Sequence, residues 1–215
     1  MKAIIFDMDG VIINSEPLHF EIEMGLLEEL GGKISKEEYE TFVGTTDYHM
    51  WSTFKDRFNL KPSVEELMNI KKERFIQNIQ RIELVDNFKE FMLMIHDEEY
   101  SMALASSNNK MAVDSIIEKF GLRKYLKVAI SGDDVTNGKP DPEIFLKASE
   151  KMNIEPHECL VIEDAANGVI AAKAAGMKCI GLQNKNSGNQ DLSEADLVVN
   201  NFNKLDINLI KDLCK

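Results

Sequence analysis

No stretch of this sequence is apolar for long enough to cross a bilayer, and the opening MKAIIFDMDG lacks the apolar core of a signal peptide. A cytoplasmic protein without membrane attachment is expected. Cysteine is scarce too. Cys159, Cys179 and Cys214 are odd in number and scattered, and no CxxC or Cys/His spacing accompanies them. Neither a disulfide framework nor a zinc site is expected, only buried reduced thiols. Basic residues are the minority, 25 Lys and Arg against 37 Asp and Glu, for a net charge of −12. Nucleic acid is therefore not an expected partner, because binding a phosphate backbone requires clustered basic surface. The same charge balance repels any anionic substrate, and a bound cation is the simplest local remedy.

What is present is an ordinary globular composition, 44% hydrophobic over 215 residues. That length fits one domain, or one domain carrying a smaller insertion. Short apolar runs at 3–6, 102–105, 128–130, 160–162, 180–182 and 197–199 read as strands. Amphipathic segments at 87–98, 110–120, 142–151, 167–175 and 203–213 read as helices between them. This alternation predicts an α/β fold, a parallel sheet covered by helices on both faces. Gly176 is placed to terminate the helix ANGVIAAKAA. From Glu16 to Leu84 the rhythm breaks, and only helical patterns such as HFEIEMGLLEELGG and SVEELMNIKKERFIQNI appear. The expected organisation is a core of residues 1–15 and 85–215 with a helical cap at 16–84. Trp51 is expected to pack inside that cap.

The strongest local signal is Phe6-Asp7-Met8-Asp9-Gly10, directly after the first strand. Residues i and i+2 at a strand end project to one side, so Asp7 and Asp9 can face one site, and Gly10 lets the chain turn away. Alone, this is also what a polar turn looks like. Three companions follow at the ends of later strands. Ser106, in MALASSNNK, could cap the next helix or offer a hydroxyl and helix-start amides to a phosphate. Lys139 lies between Gly138 and Pro140 in NGKPDPEIF, which points to a fixed loop. Glu163 and Asp164 end LVIED, and paired carboxylates there suit a hard cation. All four stations fall at the carboxyl ends of parallel strands, where open α/β sheets bind ligands.

In order and type these residues resemble the four motifs of the haloacid dehalogenase superfamily. DMDGVIINSEPLHF, ASSNNK, GKPDPEIF and IEDAANGV are particularly similar to its phosphatase and β-phosphoglucomutase branch. The resemblance implies a Rossmann-like core of strand order 5-4-1-2-3 with an inserted four-helix cap. It implies Asp7 as nucleophile, Asp9 as general acid/base, and Ser106, Ser107 and Lys139 as phosphate-holding groups. Mg²⁺ would be held by Asp7, the backbone carbonyl of Asp9 and Asp164, with Glu163 beside them. The implied activity is Mg²⁺-dependent hydrolysis of a small phosphorylated metabolite, a sugar phosphate above all, through an aspartyl-phosphate; a monomer is expected.

His19 matches a family position at the entrance to the cap, where it would position Asp9; a hydrogen-bonded hinge residue is the plainer role. The rival reading is a sugar-phosphate mutase. That branch uses a cap arginine for the second phosphate of its bisphosphate, and the matching position here, three after Gly44, is Asp47. Lys71, Lys72 or Arg74 are the cations able to compensate. Specificity is expected to lie in residues 44–47 and 71–74. A dehalogenase needs neither Asp9 nor a metal, a receiver domain lacks the helical insertion, and non-catalytic descendants lose Asp7 or Asp9.

Overall fold

The computed structural model describes residues 1–43 and 45–213; Gly44 and Cys214 lie outside the described residues. Eight strands occur among the described residues: β1 (Ala3–Phe6), β2 (Ile13–Asn14), β3 (Glu83–Leu84), β4 (Ser101–Ala105), β5 (Leu126–Ile130), β6 (Cys159–Glu163), β7 (Lys178–Leu182) and β8 (Leu197–Val199). The α-helices are α1 (Glu16–Glu29), α2 (Lys36–Glu40), α3 (Asp47–Phe58), α4 (Val64–Asn78), α5 (Phe88–Asp97), α6 (Lys110–Lys119), α7 (Glu143–Met152), α8 (Ala166–Ala174) and α9 (Ile207–Leu213). The described chain divides into two compact units, residues 1–14 with 83–215 and residues 15–82.

The first unit is built on a six-stranded parallel sheet of order β5-β4-β1-β6-β7-β8. Numbered by chain order within that sheet, the strands read 3-2-1-4-5-6, with β8 at the outer edge. β1 is central, and its residues AIIF are all buried, because a strand between two neighbours and two layers of helices has no solvent face. Side chains alternate across the sheet. Ala3 and Ile5 face a core shared with Ile144, Phe145 and Ala148 of α7 and Val169 and Ala172 of α8. Phe6 meets Phe88 and Phe91 of α5 edge-on, at ring separations of 5.4 and 6.2 Å. The order reverses at β1, between β4 and β6, the kind of switch point outside whose carboxyl ends open α/β sheets bind ligands.

A two-residue ribbon lies outside this sheet. Ile13 and Asn14 pair antiparallel with Leu84 and Glu83. Glu83 and Leu84, which the sequence pattern assigns to the helical insertion, are therefore a strand of the sheet-bearing unit. Two residues are too few for any periodicity to register.

The second unit contains α1 to α4. Its core gathers Leu26, Leu27, Trp51, Phe54 and Leu67, with Trp51 fully buried as packing. Ser63 and Glu66 form a reciprocal capping box at the start of α4, and the Thr46 hydroxyl caps α3. No described helix is long and apolar enough to cross a membrane.

The outer strand β8 is secured by Asp196, just before it. The carboxylate accepts from Lys173 Nζ at 2.6 Å, Lys178 Nζ at 2.9 Å and the Cys179 amide at 2.9 Å, while the Asp196 amide donates to the Cys179 carbonyl at 2.8 Å. Burial opposes its charge, but these donors outweigh it and hold its pKa down at about 2. A carboxyl depressed by folding stabilises the fold above its unfolded pKa, and that contribution disappears as pH falls through the folded value. Asp196→Ala should cost about 2 kcal/mol near neutral pH, the scale of hydrogen bonds to a charged group. In urea titrations the gap between wild type and variant should narrow as the pH falls from about 4 to about 2.

Candidate active site

The carboxyl end of β1 delivers the first two acids. The Asp7 amide donates to the Ile162 carbonyl at 3.0 Å, so the nucleophile candidate leaves the sheet while still tied to β6. Three residues later the chain turns through Gly10, whose φ of +72° lies in the left-handed region. A Cβ there would collide with the Asp164 carboxylate and crowd the Ser187 hydroxyl, so glycine is required on steric grounds as well. At the end of β4, Ser106 is completely buried, and its amide donates to the Ile130 carbonyl at 3.0 Å. Its hydroxyl accepts from the Asn108 amide at 3.1 Å. Ser106 does not cap α6. Asn109 does, accepting from the Ala112 amide at 3.0 Å. β6 ends at Glu163, with Asp164 directly after it, and Glu163 also accepts from the Ala165 amide at 2.8 Å.

Lys139 draws these stations together. Its ammonium pairs with Asp7, donates to Glu163 at 2.6 Å and reaches the Ala105 carbonyl at 3.4 Å, over the face of the Phe145 ring. On the opposite flank, Asn108 Nδ2 donates to Asp9 and lies 3.4 Å from the Ser106 hydroxyl. Asp7, Asp9, Ser106, Lys139, Glu163 and Asp164 therefore form one site at the ends of β1, β4 and β6.

Its electrostatics are dominated by burial of like charges. Desolvation lifts the Asp7 pKa; Lys139 counters this, Glu163 and Asp9 add to it, and the result is about 8. Asp164 rises well above the ordinary carboxylate range through burial and then the neighbouring Glu163 and Asp7. Burial alone would discharge Lys139, but Asp7 and Glu163 more than compensate and hold its pKa above the usual lysine value. One ammonium does not balance four acids. Oxygens of Asp7, Glu163 and Asp164, all buried, lie within 4.8 Å of one another, a hard donor set that fits an oxygen-seeking dication such as Mg²⁺.

The remaining candidates are Ser107, directly after Ser106, and three residues of the helical unit. The Ser107 side chain is exposed, and its carbonyl abuts Gly132, where a Cβ would collide with it. His19, Asp47 and Lys71 belong to the helical unit. The His19 ring stacks on Phe75 at 4.6 Å. Lys71 is buried between the carboxylates of Glu23 and Asp47, at 2.6 Å from Asp47, and Tyr39 donates to Glu23 at 2.7 Å. Desolvation works against the Lys71 charge, yet the two acids raise its pKa. Arg74 is clamped by Glu29 through bonds of 2.8 and 2.6 Å, and Lys72 is exposed. Sequence reasoning passed over Asn108 and Ser187. Asn108 stands in the same SSNN run as Ser106 and was within reach, whereas Ser187 looks like any residue of a polar turn.

Residues 4–182 match the family described as haloacid dehalogenase-like hydrolase. A phosphorylated carbohydrates phosphatase of Thermotoga maritima is 31% identical over 84% of this chain and 84% of its own length. Among solved structures, an HAD hydrolase of family IA, variant 3, from Entamoeba histolytica superposes with a TM-score of 0.86 at 25% identity, covering 100% of this chain and 99% of that one. CbbY from Rhodobacter sphaeroides, crystallised with phosphate, gives 0.82 at 25% identity over 94% and 95% of the two chains.

Replacing Lys139 tests the charge balance. Lys139→Met leaves Asp7 and Glu163 buried without their counter-ion, which should cost about 3 kcal/mol at pH 8 in metal-free buffer. Carboxyls whose folded pKa is raised bind protons more tightly in the folded state, so they stabilise at low pH and lose that contribution as pH rises. The deficit should therefore shrink between pH 8 and about pH 5, measured by denaturant unfolding.

Proposed function

Since the chain belongs to the haloacid dehalogenase-like hydrolases and is a phosphoric monoester hydrolase, we propose that it hydrolyses small sugar phosphates through an aspartyl-phosphate on Asp7. The observation that carries this reading is the buried convergence of Asp7, Lys139 and the Glu163–Asp164 pair, with Asp9 two residues beyond the nucleophile. Asp7, the Asp9 carbonyl and Asp164 are the groups to hold Mg²⁺, with Glu163 beside them. Bound there, Mg²⁺ supplies the positive charge that keeps Asp7 ionised and offsets the charge of the phosphate.

The chain's own groups divide the rest of the work. Lys139, kept charged by its two acids, and Ser106 hold the phosphoryl oxygens and line up phosphorus with Asp7. The Asp7 carboxylate attacks phosphorus, the bond to the alcohol oxygen breaks, and Asp9 gives that oxygen its proton. Asp9, now ionised, takes a proton from water as the water attacks phosphorus, which releases phosphate and restores the Asp7 carboxylate. In this reading the substrate is a diffusible metabolite and the protein a cytoplasmic monomer; the net charge of −12 argues against nucleic acid as a partner.

Hydrolysis is favoured over phosphate transfer between sugars by the charges of the helical unit. A mutase needs cations there to hold the distal phosphate of a bisphosphate while the proximal one reacts. Lys71 is neutralised by Glu23 and Asp47, and Arg74 by Glu29. Neither has charge to spare for a second phosphate.

A panel of phosphate esters with and without Mg²⁺ tests this directly. Turnover should disappear in chelator and return with Mg²⁺, and Asp7→Asn should stay folded while losing about four orders of magnitude or more in rate. A tenth of wild-type activity in that variant would remove Asp7 as nucleophile. With β-glucose 1-phosphate and a trace of the 1,6-bisphosphate, inorganic phosphate should outpace glucose 6-phosphate. The reverse would identify a mutase.

A further inference from the structure

Ser187 lies in the loop after β7, in the polar run NKNSGNQ, yet it is only 6% exposed. Its hydroxyl donates to Asp164 Oδ2. The loop around it is pinned at several points. Asn184 Nδ2 donates to the Gly10 carbonyl at 2.9 Å, and Asn186 Nδ2 to Asn14 Oδ1 at 2.7 Å. Gln190 accepts from the Ala166 amide at 3.2 Å and donates to the Ser187 carbonyl at 3.1 Å. The Ser187 amide donates to the Asn184 carbonyl at 3.1 Å, and Asn184 Oδ1 accepts from the Asn186 amide at 2.9 Å. The hydroxyl is thus held from both sides, against the chain that follows Asp9 and the chain that follows Asp164. Gly10 belongs to the same arrangement, since any side chain there would displace both the Asp164 carboxylate and the Ser187 hydroxyl.

We propose that Ser187 is a positioning residue for the cation site, fixing the Asp164 carboxylate so that one oxygen is committed to the hydroxyl and the other faces the metal. This rests on the Mg²⁺ reading of the site given above. A carboxylate free to rotate offers a hard cation either oxygen, or both, and loses orientational freedom on binding. A donor on Oδ2 removes that ambiguity before the cation arrives. Asn184 and Gln190 act one step further out, by holding the loop that presents the hydroxyl.

The test is the affinity for Mg²⁺ alone, without substrate, by isothermal titration calorimetry and by the Mg²⁺ dependence of the thermal unfolding midpoint. Ser187→Ala should raise the Mg²⁺ dissociation constant about 10-fold or more, the usual scale for losing an outer-shell partner. Asn184→Ala, which keeps the hydroxyl but loosens its support, should produce a smaller rise of the same kind. A hydroxyl that merely satisfies a buried acceptor predicts something different. The variant would then melt lower by the same amount with and without Mg²⁺, and its dissociation constant would equal that of wild type. That result would overturn the proposal. If wild type itself neither binds Mg²⁺ nor gains stability from it, the Mg²⁺ reading fails and takes this inference with it.

Discussion

A single ammonium group, Lys139 Nζ, stands buried among the acids at the ends of β1 and β6. Much else in the sheet-bearing unit serves that arrangement. A lysine taken out of water loses its hydration, and only its two carboxylates keep it charged. Burial, together with the neighbouring acids, pushes Asp7 and Asp164 toward protonation. The site is therefore short of positive charge. Its buried oxygens form a donor set that fits a hard dication, and in the proposed reading that cation offsets the charge of a phosphate that the protein's net charge would otherwise repel.

The fold supplies the geometry this requires at little cost. Because β1 is central and buried on both faces, Asp7 leaves the sheet at a position fixed by hydrogen bonds to the neighbouring strands. The reversal of strand order then brings the ends of β4 and β6 to either side of it. Glycines are placed where acids need room. Gly168 in α8 faces the Glu163 carboxylate closely enough that a Cβ would collide with it, as Gly10 faces Asp164. The helical unit handles its own buried lysine differently. Lys71 meets Glu23 and Asp47, with Tyr39 donating to Glu23, so its charge is spent internally.

The six strands of the main sheet were legible because each contains an apolar run short enough to be nothing else. Their ends were less so: Ser101 and Lys178 are polar or charged residues that pair in the sheet all the same. The last helix begins at Ile207 instead of Asn203, because Asn201 caps a short 3₁₀ turn at Phe202–Lys204 and Asp206 accepts from the Asn208 and Leu209 amides. Of the site, the acids and Lys139 could be read from their place after strands. The loop from Asn184 to Gln190 could not, since its polar residues look like those of any exposed turn and their partners lie far off in sequence. The pairing of Lys71 with Glu23 and Asp47 was hidden for the same reason.

The small ribbon of β2 and β3 carries an implication for how such a chain diversifies. Asn14 and Glu83 are cross-strand partners, so the chain leaves the sheet-bearing unit and returns to it at adjacent points. Two antiparallel strands in that register are what a tight hairpin turn normally joins. Residues 15–82 therefore occupy the place of a turn, and the sheet's connectivity is indifferent to what fills it. Loop closure grows in entropic cost only slowly with length, so a whole helical module is tolerated there almost as readily as a few residues. A lineage can then exchange modules at this junction while the acids at the strand ends stay where the sheet puts them.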